Sequence, residues 1–233
     1  MEISDRQHDA FDNRSKNACR ESNLSFLRQA TYRLWEDGRR KRLRCDWCEL
    51  MGRTGHLTRE LLLREAVIEP AQFIGIDIND ELANHYSSAG VTIIRGDLFS
   101  LVAHPELSKV GILNLDGYYA VNSPKLHADL RLIRLLALRS IKLYGEFCLF
   151  LNADLDAAVR QKNRASIAIR EHADLVADTF LGCGRCQIQP DLLLPSECGE
   201  AIDGGQIGAF GMFEIYRGKK AGHRMANLRL VVG

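Results

Sequence analysis

The feature that most constrains this sequence is the alternation of short apolar runs with longer amphipathic stretches between residues 43 and 178. Leu43 to Met51, Gln72 to Ile78, Val91 to Ile94, Val110 to Leu115 and Glu146 to Leu151 read as strands. Between them, Gly55 to Val67 reads as a helix, and Asn79-Asp80 can cap another that stops at Gly90. Ser123-Pro124 opens a longer helix in the cap-then-proline order, with Leu126, Leu130, Ile133, Ala137 and Ile141 on one face. Gly145 ends it, and a further helix is expected from Asp154 to Asp178. Strands that are apolar throughout and joined by helices predict a parallel sheet covered on both faces.

The two ends of the chain depart from that rhythm. Ala209 to Arg217 and Met225 to Val232 read as two strands joined by a glycine-bounded loop, an antiparallel hairpin. Residues 179–206 show no periodic pattern. At the other end, Leu24, Leu27, Ala30, Tyr32, Leu34 and Trp35 fall near helical spacing within Ser22 to Asp37, ahead of the basic run Arg39 to Arg44. The expected organisation is a helical extension over 1–40 and one α/β domain over 41–233.

At 233 residues, with 46% hydrophobic and 26% charged, such a domain buries enough surface to need no metal or disulfide staple. A net charge of +1 gives no global attraction to nucleic acid or an anionic membrane. The first thirty residues are polar and no apolar run reaches the roughly 18 residues of a membrane span, so a soluble cytoplasmic protein is expected. The seven cysteines then read as reduced thiols. Cys45-x-x-Cys48 and Cys183-x-x-Cys186 have zinc-ligand spacing, but an odd spacing within a strand sends the first two to opposite faces. No metal is expected.

Ligands of open parallel sheets bind beyond the carboxyl ends of the strands. After the first strand comes Glu49-Leu-Met51-Gly52-Arg53-Thr54-Gly55, a small-residue turn opening a helix, where backbone amides can approach a ligand closely. Asp77 ends the second strand, 22 residues after Gly55, where a carboxylate can accept from both hydroxyls of a ribose. Gly96-Asp97-Leu98-Phe99 follows the third strand; Asp97 could accept from an adenine amino group while Leu98 or Phe99 covers the ring. Asn114-Leu-Asp116-Gly117-Tyr118-Tyr119 follows the fourth.

These residues together resemble the class I S-adenosylmethionine-dependent methyltransferases, from about residue 40 to the end of the chain. Glu49 stands in the place of the family's acidic residue, Gly52 and Gly55 in its glycine-rich turn, Asp77 at its ribose-binding acid and Asp97 at its adenine-side acid. Met51 and Arg53 occupy positions where the family usually has glycines. The resemblance implies a Rossmann-like, doubly wound, mostly parallel seven-stranded sheet with an antiparallel C-terminal hairpin. It implies S-adenosylmethionine as cofactor, contacted by Glu49, Met51, Gly52, Gly55, Asp77, Ile78, Asp97, Leu98 and Asn114. It also places Asp116, Tyr118 and Tyr119 at the catalytic or substrate-gating motif.

Methyltransferases acting on nucleic-acid amino groups carry an acid, two prolines and an aromatic in that fourth loop, the aromatic stacking on a flipped base. Asp116-Gly117-Tyr118-Tyr119 keeps the acid and the final aromatic and lacks the prolines. Asp116 would orient or deprotonate the acceptor, and Tyr118 or Tyr119 would shape its pocket. RNA, DNA and other nitrogen or oxygen nucleophiles all remain as acceptors. The competing reading is a methyltransferase-like scaffold that binds a protein partner without catalysis. A nicotinamide oxidoreductase is disfavoured, since no Gly-x-Gly-x-x-Gly follows the first strand and no Tyr-x-x-x-Lys pair lies near the site.

Overall fold

The computed structural model describes residues 6–37, 42–52, 55–120, 124–155, 162–193, 201–206, 212–216 and 224–233. Within them, the side chains of 6–16, 18, 116–120, 124, 152–155, 162–170, 189–193, 201–206, 212–216 and 224–226 lie outside the description. In chain order the elements are α1 (Arg6–Ala30), β1 (Asp46–Leu50), α2 (Gly55–Arg64), β2 (Phe73–Asp77), α3 (Asp80–Ser88), β3 (Ile93–Arg95) and α4 (Leu98–Leu101). There follow β4 (Val110–Ala120), α5 (Pro124–Tyr144), β5 (Phe147–Leu155), α6 (Lys162–Phe180), β6 (Cys186–Leu193), β7 (Ala201–Gln206), β8 (Met212–Tyr216) and β9 (Arg224–Val232). Short 3-10 turns precede β2 and β4.

Seven strands form one sheet in the order β3-β2-β1-β4-β5-β9-β6. β1 to β5 run parallel, and β9 is antiparallel to both its neighbours. Two apolar layers cover the sheet. Leu24, Phe26 and Leu27 of α1, Leu61 and Leu62 of α2 and Tyr86 of α3 pack on one face against Trp47, Phe73, Ile112 and Phe150. Leu98 of α4, Leu126, Leu130 and Ile133 of α5 and Val176 and Phe180 of α6 pack on the other against Cys48, Leu113 and Leu149. Phe150 anchors the first layer, stacked on Trp47 at 5.6 Å and met edge-on by Phe26 at 6.4 Å.

The expected terminal hairpin is paired differently. β8 pairs with β7 in a separate two-stranded sheet, while β9 lies between β5 and β6. The reason lies in β9 itself: Leu228, Leu230 and Val232 are buried on one face and Val231 on the other, the pattern of an interior strand. Its buried Arg229 is held by α1, with Nε donating to Asn23 Oδ1 at 2.9 Å and Nη2 to Ser22 Oγ at 2.7 Å. Two strands run past their expected ends, β4 to Ala120 and β5 to Leu155, so α6 starts at Lys162 rather than Asp154.

The first helix also differs, running from Arg6 to Ala30 instead of Ser22 to Asp37. The chain leaves it where Glu146 Oε2 accepts from the amides of Tyr32 and Arg33, and Trp35 Nε1 donates to Thr31 Oγ1 at 2.8 Å. Of the basic run, Arg39, Arg40 and Lys41 lie outside the described residues; Arg42 pairs with Glu69. Among the described residues, no helix is long and apolar enough to cross a membrane.

Candidate functional site

From β1 the chain builds outward through β2 and β3 on one side and then crosses to β4 and β5 on the other. The connections therefore diverge between β1 and β4, and the crevice beyond their carboxyl ends is where a ligand of such a sheet sits. At that point Glu49 of β1 lies directly opposite Asn114 of β4, and their side chains are hydrogen-bonded.

Glu49 is 1% exposed. Its Oε1 accepts from Thr58 Oγ1 at 2.8 Å and its Oε2 from Trp47 Nε1 at 3.1 Å. Thr58 Oγ1 in turn accepts from Arg20 Nε at 2.9 Å. Burial pushes the Glu49 carboxyl up to about 7, opposed by the Arg20 charge and by hydrogen bonds from Asn114, Thr58 and Trp47. Both carboxylate oxygens are thus engaged by the protein itself.

The turn after β1 has an equally specific construction. Gly52 takes a left-handed φ of +48°, which a side chain rarely adopts, and its carbonyl accepts from the Tyr86 hydroxyl of α3 at 2.5 Å. Gly55 opens α2, its amide donating to the Met51 carbonyl at 2.7 Å. Met51, 1% exposed, turns inward: its Sδ would lie 2.8 Å from a Cβ at Gly75 and 3.0 Å from one at Gly55. The side chain that replaces the expected glycine fills the interior beneath the turn. Arg53 and Thr54 lie outside the described residues. His56 packs its ring on Tyr86 at 5.5 Å.

Asp77 closes β2 and is nearly buried. Oδ1 accepts from the Asn79 amide at 2.8 Å, while the buried Oδ2 has no hydrogen-bond partner among the described residues. Burial raises its carboxyl above the usual carboxylate range, against the pull of the Asn79 amide. A buried acceptor of this kind at a strand end is open to a donor from a ligand. Beside it Ile78 is 78% exposed, an apolar surface next to the open oxygen.

Asp97 is exposed and caps α4, Oδ1 accepting from the Phe99 amide at 3.0 Å. Leu98 points into the core, so of the two apolar residues there Phe99 is the partly exposed one, with Lys125 Nζ 4.8 Å from its ring centroid. Asn114 is nearly buried and committed to Glu49. The backbones of Asp116, Tyr118 and Tyr119 lie in β4 rather than in a loop; their side chains are outside the described residues. Leu115 pairs with Leu151 and Tyr119 with Ala153, so β4 spends four residue steps where β5 spends two. That bulge falls on Asp116-Gly117-Tyr118, and bulges of this kind concentrate next to active sites.

Cys45 and Cys48 are buried in opposite core layers, and burial raises both thiols. Among the described residues no three His, Cys, Asp or Glu side chains are grouped as a metal site would require.

No protein-family model matches the sequence, and no curated protein matches it. Among solved structures, the plantazolicin methyltransferase BamL in complex with a triazolic desmethylPZN analog and SAH is similar at a TM-score of 0.52. The two are 11% identical over 96% of this chain and 88% of that one. The fold is that of the class I methyltransferases. A SAM dependent methyltransferase from Archaeoglobus fulgidus is 13% identical over 95% of this chain and 96% of that one, at a TM-score of 0.49.

Within this methyltransferase fold, four residues escaped the sequence reading: Trp47 and Thr58 bond Glu49, Arg20 bonds Thr58, and Tyr86 bonds the Gly52 carbonyl. Thr58 had a local signal, one helical turn beyond Gly55 on the face that returns to β1. Arg20 had none, since 38 residues separate it from Thr58.

Proposed function

We propose that this chain binds S-adenosylmethionine beyond the carboxyl ends of β1, β2 and β3 and transfers its methyl group to a nitrogen or oxygen nucleophile. The observation that carries the reading is the buried Oδ2 of Asp77 at the end of β2, which has no hydrogen-bond partner among the described residues. Asp77 would accept from the ribose hydroxyls, and Ile78 and Phe99 would flank the base, with Asp97 accepting from its amino group. The left-handed Gly52 and Gly55 at the helix start carry no side chain, so at those two positions the backbone can come close to a ligand. When bound, the cofactor supplies a methyl already activated on a sulfonium. The protein's task is then proximity and orientation of the acceptor. Asp116, at the β4 bulge, would orient the nucleophile or take its proton, with Tyr118 and Tyr119 shaping the acceptor pocket. A nucleic-acid base suits an acid followed by an aromatic.

The scaffold reading draws on Glu49 and Met51, whose side chains are both spent on the protein interior. Titration with SAH, followed by methyl incorporation into RNA, DNA, protein extract and small-molecule pools, separates the two. Binding with incorporation supports the enzyme; binding without any incorporation supports the scaffold. Absence of SAH binding overturns the enzyme reading and leaves the scaffold.

A further inference from the structure

Four buried polar side chains from four elements meet under the first turn: Arg20 of α1, Thr58 of α2, Glu49 of β1 and Asn114 of β4. The Thr58 hydroxyl is the relay. It accepts from Arg20 Nε and gives its single proton to Glu49 Oε1. We propose that α1 is a working part of the cofactor site, with Arg20 a positioning residue that fixes the start of α2 through Thr58 and Glu49. The inference rests on the cofactor reading above and adds an element far from it in sequence.

Both described ends of the turn are tied to neighbouring elements. Thr58 lies three residues beyond Gly55 on α2, so holding its hydroxyl holds the first helical turn and the amides it offers a ligand. The other end of the turn is held by the Tyr86 hydroxyl on the Gly52 carbonyl. Arg20 is oriented in turn, its Nη1 donating to Asn17 Oδ1 at 2.9 Å. α1 is itself fixed on the sheet by Asn23, which accepts from Arg229 Nε and Asn227 Nδ2. A shift of α2 would strand the Glu49 carboxylate and the Arg20 guanidinium in a buried setting, so the network has one satisfied arrangement.

The test is calorimetric titration of the full chain with SAH, alongside thermal unfolding of each variant. Thr58→Val keeps the shape and removes the relay; Thr58→Ser restores the hydroxyl. Thr58→Val is expected to bind SAH about tenfold more weakly, the scale of one lost charged hydrogen bond. Thr58→Ser should return to within about twofold of the starting protein. Arg20→Ala should match Thr58→Val, and the double variant should be no weaker than either single one, because both break the same chain. Should Arg20→Ala fail to fold, the Thr58 pair still decides. Binding by Thr58→Val equal to the unaltered protein, no recovery with Thr58→Ser, or additive losses in the double variant overturns the inference. An unaltered protein that does not bind SAH overturns the cofactor reading instead.

Discussion

Glu49 and Asn114 face each other across adjacent parallel strands at the place where the sheet's connections diverge, and a side-chain hydrogen bond joins them. An acid in that position would ordinarily be read as a ligand contact. Here its oxygens are taken up by Thr58 and Trp47, and burial makes its proton hard to lose.

That proton makes folding pH-dependent. Glu49 titrates at about 7 in the folded chain against an ordinary 4.5. Its contribution is fully present below about 4.5 and is lost as pH rises through about 7, because the unfolded chain releases the proton first. Glu49→Gln cannot titrate, so its stability relative to the unaltered protein should improve from pH 5 to pH 8, by on the order of 3 kcal/mol. Urea unfolding midpoints at the two pH values check this. A constant difference between variant and parent would mean that Glu49 is ionised throughout.

His172 should act with the opposite sign. Burial, reinforced by His127, lowers it to about 4 from 6.5. A neutral buried imidazole contributes stability above about 6.5 that disappears as pH falls through about 4. His172→Gln is expected to flatten the acid side of the stability profile while lowering the plateau. An unchanged acid limb in urea titrations at pH 4.5 and 7 would remove His172 from acid unfolding.

Asp77→Ala removes the carboxylate whose Oδ2 has no partner among the described residues. SAH binding should weaken by about 1.5–3 kcal/mol, the scale of a hydrogen bond to a charged group, with little change in unfolding temperature. Calorimetry that finds equal affinity in variant and parent would place the ribose elsewhere.

How much of this was readable in the sequence depends on how local each cause is. β2 and the amino-terminal halves of β4 and β5 announce themselves because a strand buried on both faces must be largely apolar, as in the QFIGIDI segment that ends at Asp77 and Ile78. The carboxyl halves of β4 and β5 do not, since Asp116 and Asn152 interrupt the apolar run while the ladder continues. β6 hides for a different reason: Pro190 argues against a strand, yet β6 is the outermost strand of the sheet, where a missing amide is tolerated. The position of Asp77 at a strand end needed only the strand. The internal commitment of Glu49 needed Thr58 and Arg20, and no spacing rule connects α1 to α2 across 38 residues.

Gly75 tests the packing beneath the site. A Cβ there would lie 2.4 Å from Ile93 Cδ1 and 2.8 Å from Met51 Sδ, both core side chains. Gly75→Ala should cost about 1–3 kcal/mol, the usual penalty of overpacking. Ile93→Val deletes the nearer atom, so the double variant should be more stable than Gly75→Ala alone. Additive losses in chemical denaturation would show that the strand shifts instead of clashing.

The β4 bulge decides enzyme against scaffold. If Asp116 positions the acceptor, Asp116→Ala should lower turnover by on the order of 10²–10⁴ and leave SAH affinity nearly unchanged, because it acts on the other reactant. Tyr119→Ala should chiefly weaken acceptor binding, by roughly 1–3 kcal/mol if the ring stacks on a base. With a nucleic-acid acceptor, binding should also fall as salt is added, since basic contacts release counterions. Methyl incorporation measured across RNA, DNA, protein and small-molecule pools, with Asp116→Ala as the blank, reads all three effects. Equal incorporation by variant and parent would remove Asp116 from the mechanism and leave the bulge a purely structural kink between Leu115 and Tyr119.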